Sequence, residues 1–126
     1  MVTLDKITLG CDSKAPYLIK IDTQGAELEV LSGADKILEK TECIVLEVSL
    51  FHFMIGDPQI FDVIDFMKNK GFVVYDVISC LYRPLDNALA QLNISFVRED
   101  GMFRKDHRYC TRKQREEQNK RFKENM

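Results

Sequence analysis

Asp22-Thr23-Gln24-Gly25-Ala26-Glu27 puts two carboxylates, an amide and a glycine within six residues. A carboxylate beside a hydroxyl can orient it and take its proton, so Asp22 and Glu27 are candidate catalytic bases. Gln24 can hydrogen-bond a ligand through its amide. Gly25 either lets the backbone approach that ligand or simply makes the turn. The plainer alternative gives Asp22 the role of helix cap and leaves Glu27 serving the helix dipole. Glu47 lies inside an apolar run, where a buried carboxylate needs a partner. It either faces the same site, where it could touch a substrate, or pairs with Lys20. His52, between Phe51 and Phe53, is a candidate general base or a packed ring.

The surrounding elements place these residues together. Tyr17-Leu18-Ile19-Lys20-Ile21-Asp22 reads as a strand, apolar on both faces apart from Lys20, as in a parallel sheet covered on two sides. The preceding lead-in ends at Pro16, which favours an extended approach. A helix is expected from about 26 to 39, with Val30, Leu31, Ala34, Ile37 and Leu38 on one face and a weak point at Ser32-Gly33 that suits close packing. Residues 43–50 form a second buried strand. Asp57 then reads as an N-cap and Pro58 as the first position of a helix, with Ile60, Phe61, Ile64 and Met67 inward and Gly71 as the stop. Residues 72–80 make a third strand. Residues 90–97 alternate Leu92, Ile94 and Phe96 against Gln91, Asn93 and Ser95, the pattern of an antiparallel strand with one polar face. The order β-α-β-α-β-β predicts an α/β fold with parallel crossover units closed by a hairpin. Asp22, Gln24 and His52 then fall at the carboxyl ends of parallel strands, where open α/β sheets bind ligands.

Composition removes several classes. The 126 residues suit one domain, and 45% hydrophobic content is that of an ordinary globular chain. Cys11, Cys43, Cys80 and Cys110 are widely spaced, and His52 and His107 stand alone, so no zinc ligand set is expected and the thiols read as reduced and mostly buried. No apolar run reaches the roughly 20 residues of a membrane span, and the opening segment, interrupted by Asp5, Lys6 and Asp12, does not read as a signal peptide. The cytoplasm is the expected location. Residues 104–126 carry nine Lys/Arg against four acids, a net of +5, which leaves −7 for the rest of a chain whose total is −2. Residues 1–100 are therefore read as one unit and 101–126 as a charged, net basic tail, helical or disordered. Nucleic acid is a poor fit for that tail, since aromatic residues to stack on bases are sparse there. Asn93-Ile94-Ser95 matches a glycosylation acceptor pattern but falls within the expected strand.

Lys20-Ile21-Asp22-Thr23-Gln24-Gly25-Ala26-Glu27, followed by Leu28-Glu29-Val30-Leu31-Ser32-Gly33-Ala34, closely resembles the FkbM family of S-adenosylmethionine-dependent methyltransferases. Thr3-Leu4-Asp5 upstream, Ile44-Val45-Leu46-Glu47-Val48, Gly71-Phe72 and Tyr75-Asp76 continue the likeness in order. So do Asp86-Asn87-Ala88-Leu89-Ala90-Gln91 and Phe96-Val97-Arg98, with Asn87 standing where the family has glycine. The likeness spans about residues 3–99.

The resemblance implies a partial class I, Rossmann-like methyltransferase fold. The family's spatial strand order is 3-2-1-4-5-7-6. This chain would hold strands 4, 5 and 6, mutually parallel, and antiparallel strand 7, with helices packed on the sheet. It implies methyl transfer from S-adenosylmethionine to a hydroxyl oxygen of a sugar or secondary metabolite. Asp22, Glu27 and His52 would then be the catalytic candidates. Asp22, Gln24 and Gly25 would meet the cofactor, and Gln24 and Glu47 the substrate. The glycine-rich cofactor loop after strand 1 has no counterpart among Gly10, Gly25, Gly33, Gly56, Gly71 and Gly101, and the resemblance places it before Met1. Weak or absent activity of this chain alone is expected on that ground. The alternative function is a non-catalytic fragment or interaction module. In that reading the bare edge of strand 17–22 pairs with a second copy or with a separate N-terminal half. Asp22-Thr23-Gln24 lacks the second carboxylate of the D-x-D pair used by haloacid-dehalogenase phosphatases, which sets that class aside.

Overall fold

The computed structural model describes residues 2–11 and 13–126; Asp12, one of the polar interruptions of the opening segment, lies outside the described residues. The chain runs α1 (Leu4–Thr8), β1 (Tyr17–Ile21), α2 (Glu27–Ser32), α3 (Asp35–Leu38), β2 (Thr41–Ser49), α4 (Ile60–Asn69), β3 (Phe72–Tyr82), β4 (Leu89–Arg98), a 3-10 turn at Met102–Arg104, and α5 (Arg112–Glu124). The four strands form one mixed sheet in the order β1-β2-β4-β3, an α/β architecture consistent with a methyltransferase-like fold.

β1 pairs parallel to β2, with Ile19 opposite Ile44 and Ile21 opposite Leu46. β4 pairs antiparallel to both β2 and β3, so it separates them. β2 and β3 run in the same direction without being hydrogen-bonded neighbours, which corrects the expectation that both crossover units join adjacent strands. The closing hairpin is present, as β3 and β4. The polar face of β4 finds partners across the sheet. Gln91 Nε2 donates to Glu47 Oε1 at 2.9 Å, Asn93 Nδ2 to Ser79 Oγ at 2.9 Å, and Ser95 Oγ to the Asp76 carbonyl at 3.4 Å. A central strand can therefore carry alternating polar residues without leaving them unpaired.

The core lies between the helices and one face of this sheet. Leu31 of α2, Leu38 of α3 and Val63 and Met67 of α4 close over Ile44, Leu46, Val48, Ile94 and Phe96. On the opposite face of β1, Leu18 and Lys20 are exposed, so this strand is not covered on both sides as its composition suggested.

Several helical details differ from the sequence reading. The lead-in contains α1, capped by Thr3, rather than a purely extended approach. The helix expected over 26–39 is two short helices, broken at Gly33-Ala34. The break brings α1 close: a Cβ on Gly33 would lie 3.0 Å from Thr3 Cγ2. Asp5 of α1 then reaches across the gap, accepting from Lys36 N at 3.1 Å and Ile37 N at 2.9 Å, and so caps α3, whose own N-cap Ala34 has no side chain to do it. α4 starts at Ile60, later than Pro58; the Gln59 amide is held by Asp62 at 2.8 Å, and Asp57 is not the cap. Its buried side chains are Val63 and Met67, with Ile60 and Phe66 against the core, whereas Phe61 is 78% exposed. Cys11 and Cys80 are exposed and Cys43 and Cys110 half-buried, so the thiols are free but not buried as expected.

Candidate functional site

The turn after β1 is built around a buried carboxylate. Glu27 Oε1 accepts from Thr23 N and Gly25 N, each at 3.2 Å, and Oε2 accepts from Gly25 N at 3.1 Å. Glu27 is 4% exposed. It satisfies backbone donors of the turn that precedes α2 and so holds that turn, whereas α2, with Ala26 as N-cap, has no side-chain cap, from Asp22 or from Glu27. Both carboxylate oxygens are engaged, and the side chain is better placed to hold the turn than to take a proton.

That turn has an unusual backbone. Gln24 has φ 55° and Gly25 φ 101°, two left-handed residues in succession. Glycine takes this conformation freely, but glutamine does so at a cost. Sparse conformations of this kind gather where a side chain must be aimed at a ligand. A Cβ on Gly25 would lie 2.6 Å from Asp57 Oδ1, so the glycine also makes room for the loop after β2.

Asp57 closes the opposite wall. Its Oδ2 accepts from Met54 N at 3.0 Å, and its carbonyl lies 3.0 Å from His52 Nδ1. Between the turn and this loop is a cavity of about 60 Å³, lined by Gln24, Gly25, Glu27, Glu47, Asp57 and Gln91 among others. The structure therefore brings together four of the residues marked from sequence: Gln24, Gly25, Glu27 and Glu47. It leaves two outside. Asp22 is exposed, does not line the cavity, and its carboxylate has no hydrogen-bond partner among the described residues. His52 is exposed and bound to the loop backbone rather than turned to the cavity. Glu47 pairs with Gln91 and not with Lys20, which is exposed on the sheet surface.

Asp57, Gln91 and Phe53 were missed as site residues. Asp57 precedes a proline at the start of a helix, and that local pattern reads as a cap. Gln91 signalled only the polar face of a strand; its position opposite the end of β2, at Ser49, needs the register of the sheet.

Beside the cavity, the loop after β2 is braced against the hairpin turn. The Phe51 and Phe53 rings are 5.8 Å apart, and the Arg83 guanidinium lies 4.0 Å from the Phe51 ring centre. Arg83 donates from Nε and Nη2 to Asp86, each at 2.7 Å. These bonds hold the Asp86 carboxyl down at about 2 and raise the pKa of Arg83. Asn87, in the place where the resemblance expects glycine, has φ 59°, a conformation that asparagine tolerates better than most residues. Burial raises the Cys43 thiol, whereas hydrogen bonds to Ser13 lower that of Cys11. Among the described residues no three His, Cys, Asp or Glu are grouped to hold a metal, and no helix is long and apolar enough to cross a membrane.

No curated protein and no solved structure matches the chain. The Methyltransferase FkbM domain family matches residues 1–74, which takes in α1 to α4, the turn after β1, Glu47 and Asp57, while Gln91 and the hairpin turn lie beyond it. With more than half of its residues inside that match, the chain belongs to the FkbM methyltransferase family.

Proposed function

We propose that this chain carries the acceptor side of a methyl transfer from S-adenosylmethionine to a hydroxyl oxygen of a sugar or secondary metabolite. Family membership supports S-adenosylmethionine as the donor in general terms. The sheet order supports the finer fold reading, since β1-β2-β4-β3 is the order expected of strands 4-5-7-6 of a class I methyltransferase. The observation that carries the proposal is the convergence of Gln24, Glu47, Asp57 and Gln91 on one cavity at the carboxyl ends of β1 and β2.

The cavity is too small for the donor. At about 60 Å³ it is far below the roughly 300 Å³ of sites that enclose whole cofactors. The described residues also lack a glycine-rich loop, so they fit at most one edge of the donor, at Gln24 and Gly25. The cavity does suit the end of an acceptor bearing one hydroxyl. Glu47 is the best-placed base: Oε1 is held by Gln91, and Oε2 has no hydrogen-bond partner among the described residues. Gln24 would orient the hydroxyl, and Glu27 would hold the turn that presents Gln24.

Calorimetry with S-adenosylmethionine, paired with transfer of labelled methyl groups to candidate hydroxyl acceptors, tests this. Weak saturable donor binding is expected, retained in Glu47→Gln, while transfer by that variant falls about 10²-fold or more, the scale of a lost general base. Transfer at an unreduced rate in a folded Glu47→Gln variant would sink the reading.

A second reading follows from β1, which pairs only with β2 among the described residues and leaves its other edge open. That edge suits pairing with a second copy or a separate N-terminal half, in a chain acting as an interaction module.

A further inference from the structure

α5 is 13 residues long and buries none of them. Every side chain on it is exposed except Gln118, which is half-buried. A helix that is polar all round needs many internal ion pairs or something lying against it. Among the described residues α5 has one such pair, Arg112 with Glu116. We propose that α5 is a docking surface for an anionic phospholipid bilayer and lies flat on it with Phe122 toward the lipid. The helix falls beyond the residues matched to the family, and its contact with lipid is independent of the chemistry at the cavity.

The charges on α5 are sorted around its circumference. At 3.6 residues per turn, Glu116, Glu117 and Glu124 fall within about 100° of one another. The remaining arc of about 260° has no carboxylate. It carries Arg112, Arg115, Arg121 and Lys123, and Phe122 stands at its middle. Arg115, Arg121 and Lys123 have no ion-pair partner among the described residues. The Tyr109 ring joins this face, with the Arg115 guanidinium 5.0 Å from its centre. Both rings are open, Tyr109 at 79% and Phe122 at 65% exposed.

Net charge selects an anionic partner, because residues 104–126 total +5. Each Lys or Arg held near an anionic leaflet adds to the attraction, and screening confines the effect to about 10 Å. The rest of the chain, at −7, is repelled by the same surface, which limits the contact to the tail. The ring at the centre of the face then favours a bilayer over nucleic acid. In a duplex groove Phe122 would cover base edges whose donors and acceptors need partners. On a bilayer the ring enters the acyl boundary while the flanking guanidiniums stay among the phosphates. One such ring is too little apolar surface to bind alone, so charge supplies most of the attraction and neutral lipid is a poor partner.

Cosedimentation of the full chain with vesicles tests this. Vesicles of phosphatidylcholine mixed with phosphatidylserine should bind it, pure phosphatidylcholine vesicles should not, and added salt should weaken binding. Arg115→Gln/Arg121→Gln should weaken partitioning about 25-fold, about fivefold for each cation withdrawn from the surface. Lys113→Gln/Lys120→Gln removes the same charge from the arc that holds the glutamates, and should weaken partitioning by less than about fivefold. Urea midpoints of both variants should match wild type, because α5 contributes no buried residue. The chain has no tryptophan, so Phe122→Trp places a single reporter at the contact. Its emission should shift to the blue on the mixed vesicles. Four results overturn the proposal: no preference of the folded chain for the mixed vesicles, equal loss in the two double variants, unshifted tryptophan emission in the bound chain, or binding to a short DNA duplex in place of vesicles. The last would assign the helix to nucleic acid.

Discussion

Glu27 shows how one carboxylate can look catalytic in sequence and be structural in space. Three hydrogen bonds from Thr23 and Gly25 use both of its oxygens. Replacing it by alanine strands those backbone donors. Glu27→Ala should therefore lose about 1–3 kcal/mol, the penalty of an unmet buried group, and Glu27→Gln less, because one acceptor oxygen remains. Urea unfolding of the two variants checks this, and equal midpoints for Ala and wild type would refute it. Gly25 and Asp57 form the complementary pair. Any side chain at Gly25 meets the Asp57 carboxylate, so the glycine matters for space as well as for its positive φ. The first half of that statement is not legible from a turn sequence, because Asp57 is distant in the chain.

At the scale of elements, short helices are held by neighbours. α3 has four residues, too few to persist alone. Asp5 supplies the acceptors that its first turn lacks. Asp5→Ala should cost about 1 kcal/mol, as removal of an N-cap does, and should raise amide exchange selectively at Lys36 and Ile37. Unaltered exchange at those two amides would show that the contact carries no weight. This gives Thr3-Leu4-Asp5 a physical role, because the segment caps a helix 30 residues later and packs its threonine on Gly33. α4 makes a related point. Its sequence contains two overlapping apolar stripes. The register taken by the fold buries Val63 and Met67 and leaves Phe61 outside, a choice made by β2 and β3 beneath it and not by helical spacing.

At the scale of the whole molecule, the sheet has two edges that no strand among the described residues covers, and they are not equivalent. β3 is long and carries one charge, Asp76, but its ladder to β4 is interrupted near Tyr75 and Ile78. Such bulges protect an edge from further pairing. β1 is shorter, yet its register with β2 is regular from Leu18 to Ile21, and Leu18 is 68% exposed. If either edge recruits another chain, it should be β1. Sedimentation velocity should show concentration-dependent association, reduced by Leu18→Lys and little altered by Ile78→Lys. A monomer at every concentration, or the reverse order of effects, would argue against pairing through β1.

The sequence by itself determined the four strands, the order β-α-β-α-β-β and the place of the turn at 22–27. All three depend on local periodicity and on glycine, proline and charge at element ends. It also carried the family likeness, later matched over residues 1–74. Only the tertiary structure decided that Glu27 is consumed by its own turn, that Asp22 and His52 stand outside the cavity, and that Asp57 and Gln91 line it. These facts rest on pairings between residues far apart in the chain, such as Glu47 with Gln91 and Gly25 with Asp57. Local pattern cannot specify such pairings, because they arise when sheet register and loop packing are chosen together.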